Sequence, residues 1–133
     1  MSKVVHVSGK RKKAVARATV KEGKGVTRVN GKLLDNVTPK VAMMKIMEPL
    51  MIAGDSAKKV DINIIVMGGG WASQADACRL AVAKGLVNYT GSKPLRKDFL
   101  EYDRHLLVAD VRRNEPHKPN DSKPRAKRQK SYR

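Results

Sequence analysis

The sequence predicts an α+β fold: one domain with a sheet of about four strands and helices packed on it, ended by an extended basic tail. Three observations predict it. Apolar and polar residues alternate with period two over residues 11–21 and again over 60–67. From Trp71 onward, apolar residues recur at helical spacing. After Asp110 apolar side chains almost vanish. Period two is the mark of a strand with one buried face, and a spacing of three to four is the mark of a helix. At 133 residues, with 41% hydrophobic residues, the chain suits one domain with its own core. Aromatics are only 4%, so that core must come from Val, Ile, Leu, Met and Ala.

Taken in order, Lys3 to Val7 reads as a short strand broken by Gly9. From Arg11 to Lys21 a second strand puts Ala14, Ala16, Ala18 and Val20 on one face. Its other face carries Arg11, Lys13, Val15, Arg17, Thr19 and Lys21. Glu22 to Gly25 reads as a hairpin loop, with Val26 to Val29 as the return strand. Asn30 and Gly31 suit a type I′ turn, whose two central residues need positive φ. Leu33 and Leu34 extend the sheet. Thr38 and Pro39 suit the cap and first position of a helix. In that helix Met43, Ile46, Met47 and Leu50 share a face, Lys45 and Glu48 lie opposite, and Pro49 ends the regular part.

Val60 to Met67 is the clearest strand, with Val60, Ile62, Ile64 and Val66 on one side. Gly68 to Gly70 turn the chain into a long helix. Its stripe is Trp71, Ala75, Cys78, Val82, Leu86 and Tyr89, and Gly91 is its stop signal. A last helix from about Lys93 places Leu95, Phe99, Tyr102 and Leu106 at helical spacing. Leu106 to Ala109 closes the folded part. The domain is therefore expected over residues 1–110 and the tail over 111–133. In that tail three prolines and almost nothing to bury predict a segment that orders only on a partner, since ordering costs about 1–2 kcal/mol per residue. Extended, residues 112–133 would span at most roughly 70 Å.

The net charge is +17, and its distribution names the kind of partner. Lys3 to Lys32 hold ten basic residues against one acidic. Leu33 to Val111 hold ten against nine, and Arg112 to Arg133 hold nine against two. A nearly neutral middle between two basic ends is the footprint of a domain with two polyanion-facing segments. Solubility alone needs no such concentration of one sign. No stretch approaches the ~18 apolar residues of a membrane span. The start, MSKVVHV, lacks the apolar run of a signal peptide, so a cytosolic protein is expected, with no membrane partner.

Catalytic signals are sparse. One cysteine permits no internal disulfide and no multi-cysteine zinc site. His6, His105 and His117 lack ligand spacing, so neither metal nor cofactor is expected. Gly68 to Gly70, between strand and helix, admit two readings: a phosphate cradle at a helix N-terminus, or a tight turn with Ser73 and Gln74 serving the first-turn donors. The segment matches neither GxxxxGK[ST] nor GxGxxG, which favours the turn. Cys78, on the apolar stripe, reads as a small buried hydrophobe. Nothing suggests an enzyme or a small-molecule substrate.

Five segments resemble one family: GKRKKAVARATV (Gly9 to Val20), GKGVTRVNG (Gly23 to Gly31), GGGWASQADACRLAVAKGL (Gly68 to Leu86), ADVRRNEPHKP (Ala109 to Pro119) and PRAKRQKSYR (Pro124 to Arg133). Together they resemble the universal ninth protein of the small ribosomal subunit, in its archaeal and eukaryotic form. The resemblance implies a fold like the second domain of the fifth small-subunit protein, with a left-handed βαβ crossover. It also implies a place in the subunit head, bound to rRNA and neighbouring head proteins. The family's tail threads through rRNA toward the peptidyl-site tRNA anticodon stem-loop. Carried over, tRNA contact falls on Arg133, with Lys130, Ser131 and Tyr132 beside it.

Contact with rRNA is expected from both basic ends. At the first end the candidates are Lys10, Arg11, Lys12, Lys13 and Arg17, with Arg11, Lys13 and Arg17 facing RNA from one side of a strand. In the tail they are Arg112, Arg113, Lys118 and Lys123, followed by Arg125, Lys127 and Arg128. Residues 120–122 are less basic and less glycine-rich than the family pattern. Composition alone would also admit a free nucleic-acid chaperone or DNA-packaging protein, which would bind duplex DNA as readily as RNA.

Overall fold

The computed structural model of the chain describes residues 2–120 and 123–126. Strands β1 (Val4–Arg11) and β2 (Ala14–Glu22) form an antiparallel hairpin whose register pairs Arg11 with Ala14 and Val4 with Lys21. Only Lys12 and Lys13 lie between them, and Lys12 takes a positive φ of 51°. Strands β3 (Thr27–Val29) and β4 (Lys32–Leu33) make a second hairpin about Asn30 and Gly31, at φ of 49° and 83° as the type I′ turn requires. Helix α1 (Lys40–Ala53) follows, then β5 (Val60–Met67), α2 (Trp71–Thr90) and α3 (Lys93–Tyr102).

The fold is α+β, with five strands in the order β1-β2-β5-β3-β4. The strand beyond the expected four is β4, only two residues long. The sheet is mixed, because β5 runs antiparallel to β2 and parallel to β3. Here one expectation fails. Glu22 to Gly25 is not a hairpin loop, since β5 lies between β2 and β3. The loop instead crosses the end of β5, where the Asp61 carboxylate accepts from the amides of Lys24 (2.9 Å) and Val26 (3.0 Å). One carboxylate oxygen accepting from both amides of the loop draws the chain toward β5 rather than back along β2. Asn30 completes the junction: its side chain donates to the Val66 carbonyl and accepts from the Val66 amide.

The helices cover one face. Inward from the sheet point Ala14, Ala16, Ala18 and Val20 of β2, and Val60, Ile62, Ile64 and Val66 of β5, all buried. Alanine predominates on β2 because α2 lies close above it. A Cβ on Gly85 of α2 would stand 2.7 Å from a Val20 methyl carbon. The same closeness corrects the reading of Gly9, which lies inside β1 rather than breaking it. A Cβ there would stand 2.3 Å from the Ala77 carbonyl oxygen of α2. Glycine marks close backbone approach here.

Ala75, Cys78, Val82 and Leu86 are buried as the stripe requires. Trp71, at the first position of α2, is 53% exposed and leaves the stripe. Phe99 and Leu106 are fully buried and hold α3 and the turn after it onto the core, whereas Tyr102 points outward. Each such buried large side chain contributes about 1.5–3 kcal/mol. In α1, Ile46 is buried with Met43, Met47 and Leu50 packed around it. That helix begins one residue later than its sequence suggests: Pro39 occupies the cap position and no side chain caps it. Nor does Pro49 end it. A proline removes one backbone bond, but Pro49 is fully buried in the core contact and the helix runs on to Ala53.

Candidate nucleic-acid interface

The tip of the first basic block and the start of the second, a hundred residues apart in sequence, meet at one edge of the domain. Residue parity explains how. Across the β1–β2 turn Arg11 pairs with Ala14, so odd positions of β1 share a face with even positions of β2. Arg11 therefore turns to the helix side, and its side chain is only 17% exposed. Its guanidinium lies 3.5 Å from Asp110 and 4.0 Å from Asp76, and Nη1 donates to the Arg112 carbonyl at 3.4 Å. Arg113 reaches back the other way and donates to the carbonyl of Lys12. The hairpin tip and the segment from Asp110 to Arg113 are thus tied together.

Asp110 is the centre of this knot. It accepts Nε and Nη2 of Arg112, the latter at 2.7 Å, and the Arg112 amide at 3.1 Å. Those side-chain bonds first, then the amide and the charge of Arg11, hold its carboxyl far below the usual carboxylate range. A second knot braces the helices. Arg79 of α2 donates to Glu48 of α1 at 2.5 Å and to Asp103 after α3 at 2.9 Å. Partial burial pushes Asp103 up, but the His105 amide and the Arg79 guanidinium outweigh it, and the carboxyl sits below its ordinary value. Lys45 pairs with Asp76 at 3.0 Å, so the polar side of α1 expected to lie opposite the core is turned toward α2.

These contacts sort the expected RNA-binding residues. Lys12 and Lys13 project from the hairpin tip, exposed, beside Arg112 and Arg113. Lys10 and Arg17 are exposed on the sheet face that carries no helix among the described residues. Arg11, Lys13 and Arg17 consequently do not share one strand face. Arg11 belongs to β1, Lys13 to the turn and Arg17 to β2, and the turn reverses parity between them. Lys118 and Lys123 are exposed, while Arg125 makes a two-pronged pair with Glu115. Lys127, Arg128, Lys130, Ser131, Tyr132 and Arg133 lie outside the described residues.

Gly68 to Gly70 act as a turn that receives the hairpin. Gly68 and Gly69 have φ of 80° and 67°, and a Cβ on Gly68 would stand 2.5 Å from the Lys13 carbonyl oxygen. Ser73 and Gln74 do not cap α2 as expected, and Gln74 instead donates to the Gly68 carbonyl at 3.1 Å. Burial pushes the Cys78 thiol up to about 12, which makes it an inert core residue. Among the described residues no group of three or more His, Cys, Asp or Glu could hold a metal ion, and no helix is long and apolar enough to cross a membrane.

Sequence reasoning missed two things. One is Asp110 as the anchor of Arg11 and Arg112, although an acid two residues before an arginine was a visible hint. The other is the set Lys21, Arg28 and Asn63, which only the strand register brings onto one face.

Comparison with known proteins agrees with this basic architecture. The family described as ribosomal protein S9/S16 matches residues 9–133. The small ribosomal subunit protein uS9 of Methanococcus maripaludis (strain C7) is 55% identical, over 98% of this chain and 99% of that protein. The protein of the same name from Methanococcus vannielii is 52% identical over the same shares. With nearly its whole length matched, the chain belongs to the ribosomal protein S9/S16 family.

Proposed function

We propose that the protein is a non-catalytic structural component of the small ribosomal subunit in the cytoplasm. In this reading it binds rRNA in the subunit head beside neighbouring head proteins, and its residues 111–133 extend to the peptidyl-site tRNA. The observation that carries the reading is the meeting of the first basic block with the start of the second at one edge. The hairpin tip with Lys12 and Lys13 is joined to Arg112 and Arg113 where the chain leaves the core. Phosphate contacts from such a cluster supply affinity without reading sequence, and that affinity falls as salt rises. Lys118, Lys123, Lys127 and Arg128 extend the same chemistry along the sequence, and in this reading tRNA contact falls on Lys130, Ser131, Tyr132 and Arg133.

The test removes Ser131 to Arg133 and measures tRNA affinity in the peptidyl site of assembled subunits at two salt concentrations. The expected result is weaker binding with a shallower salt dependence. Unchanged affinity and unchanged salt dependence would refute the tRNA contact.

A further inference from the structure

The sheet has a second face, and its composition is unlike the helix side. The register sets its outward side chains in four rows. Val4, Lys21 and Asp61 form the first, and His6, Thr19, Asn63 and Arg28 the second. Ser8, Arg17 and Ile65 form the third, and Lys10, Val15 and Met67 the last. No helix covers them among the described residues.

We propose that this face is a second RNA-docking surface, a platform for the sugar–phosphate backbone of small-subunit rRNA, separate from the hairpin tip and tail root. The inference rests on the ribosomal reading above and adds a surface to it.

The register carries the argument. On the helix side Arg11 pairs with Asp110 and Arg79 with Glu48 and Asp103, while the exposed Arg96 and Arg104 belong to α3 and the turn after it. On the open face Lys10, Arg17, Lys21 and Arg28 are exposed, and none makes an ion pair among the described residues. Asp61 is the one carboxylate at these outward strand positions. Its hydrogen bonds from the Val26 and Lys24 amides hold its carboxyl below the ordinary value and aim it at the loop. Four cations thus stand with one acid, which accepts from the loop amides and lies opposite Lys21, leaving a net positive face that complements a polyanion. Between them lie neutral groups suited to ribose hydroxyls and phosphate oxygens: Ser8, Asn63, and His6, whose Nδ1 lies 3.1 Å from the Thr19 hydroxyl.

The same face shows what it does not favour. It carries no Phe, Tyr or Trp at these positions, and His6, its one aromatic ring, is engaged with the Thr19 hydroxyl, so it lacks the row of large aromatic rings with which sheet platforms hold unpaired bases. Backbone and shape recognition of a helical rRNA segment is what remains. Val15, Ile65 and Met67, the last two 54% and 60% exposed, offer apolar contact to riboses at the edge near Lys10.

Two measurements on the full chain test this. First, binding to transcribed small-subunit head-domain rRNA is titrated against salt for the unchanged protein, for an R17Q/K21Q/R28Q variant, and for a K12Q/K13Q variant. Losing three phosphate contacts should lower the slope of log affinity against log salt by roughly 2–3 and weaken binding at least about tenfold. Second, Asn63→Cys carries a tethered iron chelate in reconstituted subunits, where hydroxyl radicals should cut rRNA close to the probe. Cys78 is buried and leaves the new thiol as the reactive one. Wild-type affinity and slope in the triple variant, with loss only in K12Q/K13Q, would overturn the platform and leave the ribosomal reading standing. So would radical damage confined to a neighbouring protein, which would make this a protein-docking face. Failure of the unchanged chain to bind head-domain rRNA or enter subunits would overturn the ribosomal reading, and this inference with it.

Discussion

Replacing Gly9 with alanine should be among the most damaging single-methyl additions in this domain. Gly9 sits in the middle of β1, paired with Ala16 of β2. A Cβ there would lie 2.3 Å from the Ala77 carbonyl oxygen, 2.9 Å from the Ala81 nitrogen and 3.2 Å from the Leu80 Cβ. Two of these atoms are helix backbone, so no rotamer change relieves the clash. Restoring ordinary contact requires α2 and β1 to separate by about 1 Å, which opens the packing of α2 on Val7 of β1 and on the paired Ala16 and Ala18 of β2. Overpacking costs ~1–3 kcal/mol, and the rigid obstruction puts this site near the top of that range. With a urea slope of ~1.5 kcal/mol/M, the unfolding midpoint should fall by roughly 2 M. Gly70→Ala is the control: nothing lies within 4 Å of its added Cβ, and its change should stay below about 1 kcal/mol. Equal midpoints for the two variants would refute the claim that close approach of α2, rather than local flexibility, explains Gly9.

Two further outcomes follow from the charged contacts. Arg79→Met should destabilise by about 2 kcal/mol, less than the ~3–5 of a fully buried broken pair, because Glu48 and Asp103 keep 33% and 35% side-chain exposure. Asp103 is depressed when folded, so its contribution is present above the unfolded carboxylate value and fades as pH falls through the folded one. Acid titration of stability should therefore be shallower in Arg79→Met, and an unaltered acid limb would count against the clamp. Asp61→Ala leaves the Lys24 and Val26 amides without their acceptor and should lower the thermal midpoint by roughly 4 °C, from a loss of ~1 kcal/mol. Faster amide exchange at Lys24 and Val26 would accompany it, and native exchange rates there would show that Asp61 does not shape the loop.

Much of the fold was legible because the signals were local. Strand β5 runs over the residues its alternation indicates, since both its faces differ sharply in burial. Helix α2 starts at Trp71 and ends before Gly91, which takes the left-handed φ of 64° that a C-terminal glycine favours. What could not be read was set by distant partners. Gly9 looks like a breaker until α2 is known to lie on it. The loop after β2 looks like a hairpin until β5, some forty residues later, is seen to enter between β2 and β3. Pro49 looks like a stop until its burial is known. At the interface the error was one of parity: counting Arg11 to Lys21 as one strand put Arg11 beside Arg17, and the two-residue turn puts them on opposite faces.

That parity matters for function as well as for description. A chain with net charge +17 gains stability by pairing what acids it has, yet a paired cation is less available to an external phosphate. The described acids resolve this by place. Glu48, Asp76, Asp103 and Asp110 all sit on the helix side or at the tail root, where they hold Arg79, Lys45, Arg11 and Arg112. Acids of the near-neutral middle of the sequence thus hold cations of its own, Lys45 and Arg79, and also Arg11 and Arg112 from the two basic ends. Arg11 links the two roles. Drawn from the basic N-terminal block, it is turned inward to hold Asp110 and the Arg112 carbonyl, and so ties the hairpin to residues 110–112. Its loss would leave every exposed cation among the described residues in place while freeing residues 110–112 from the hairpin.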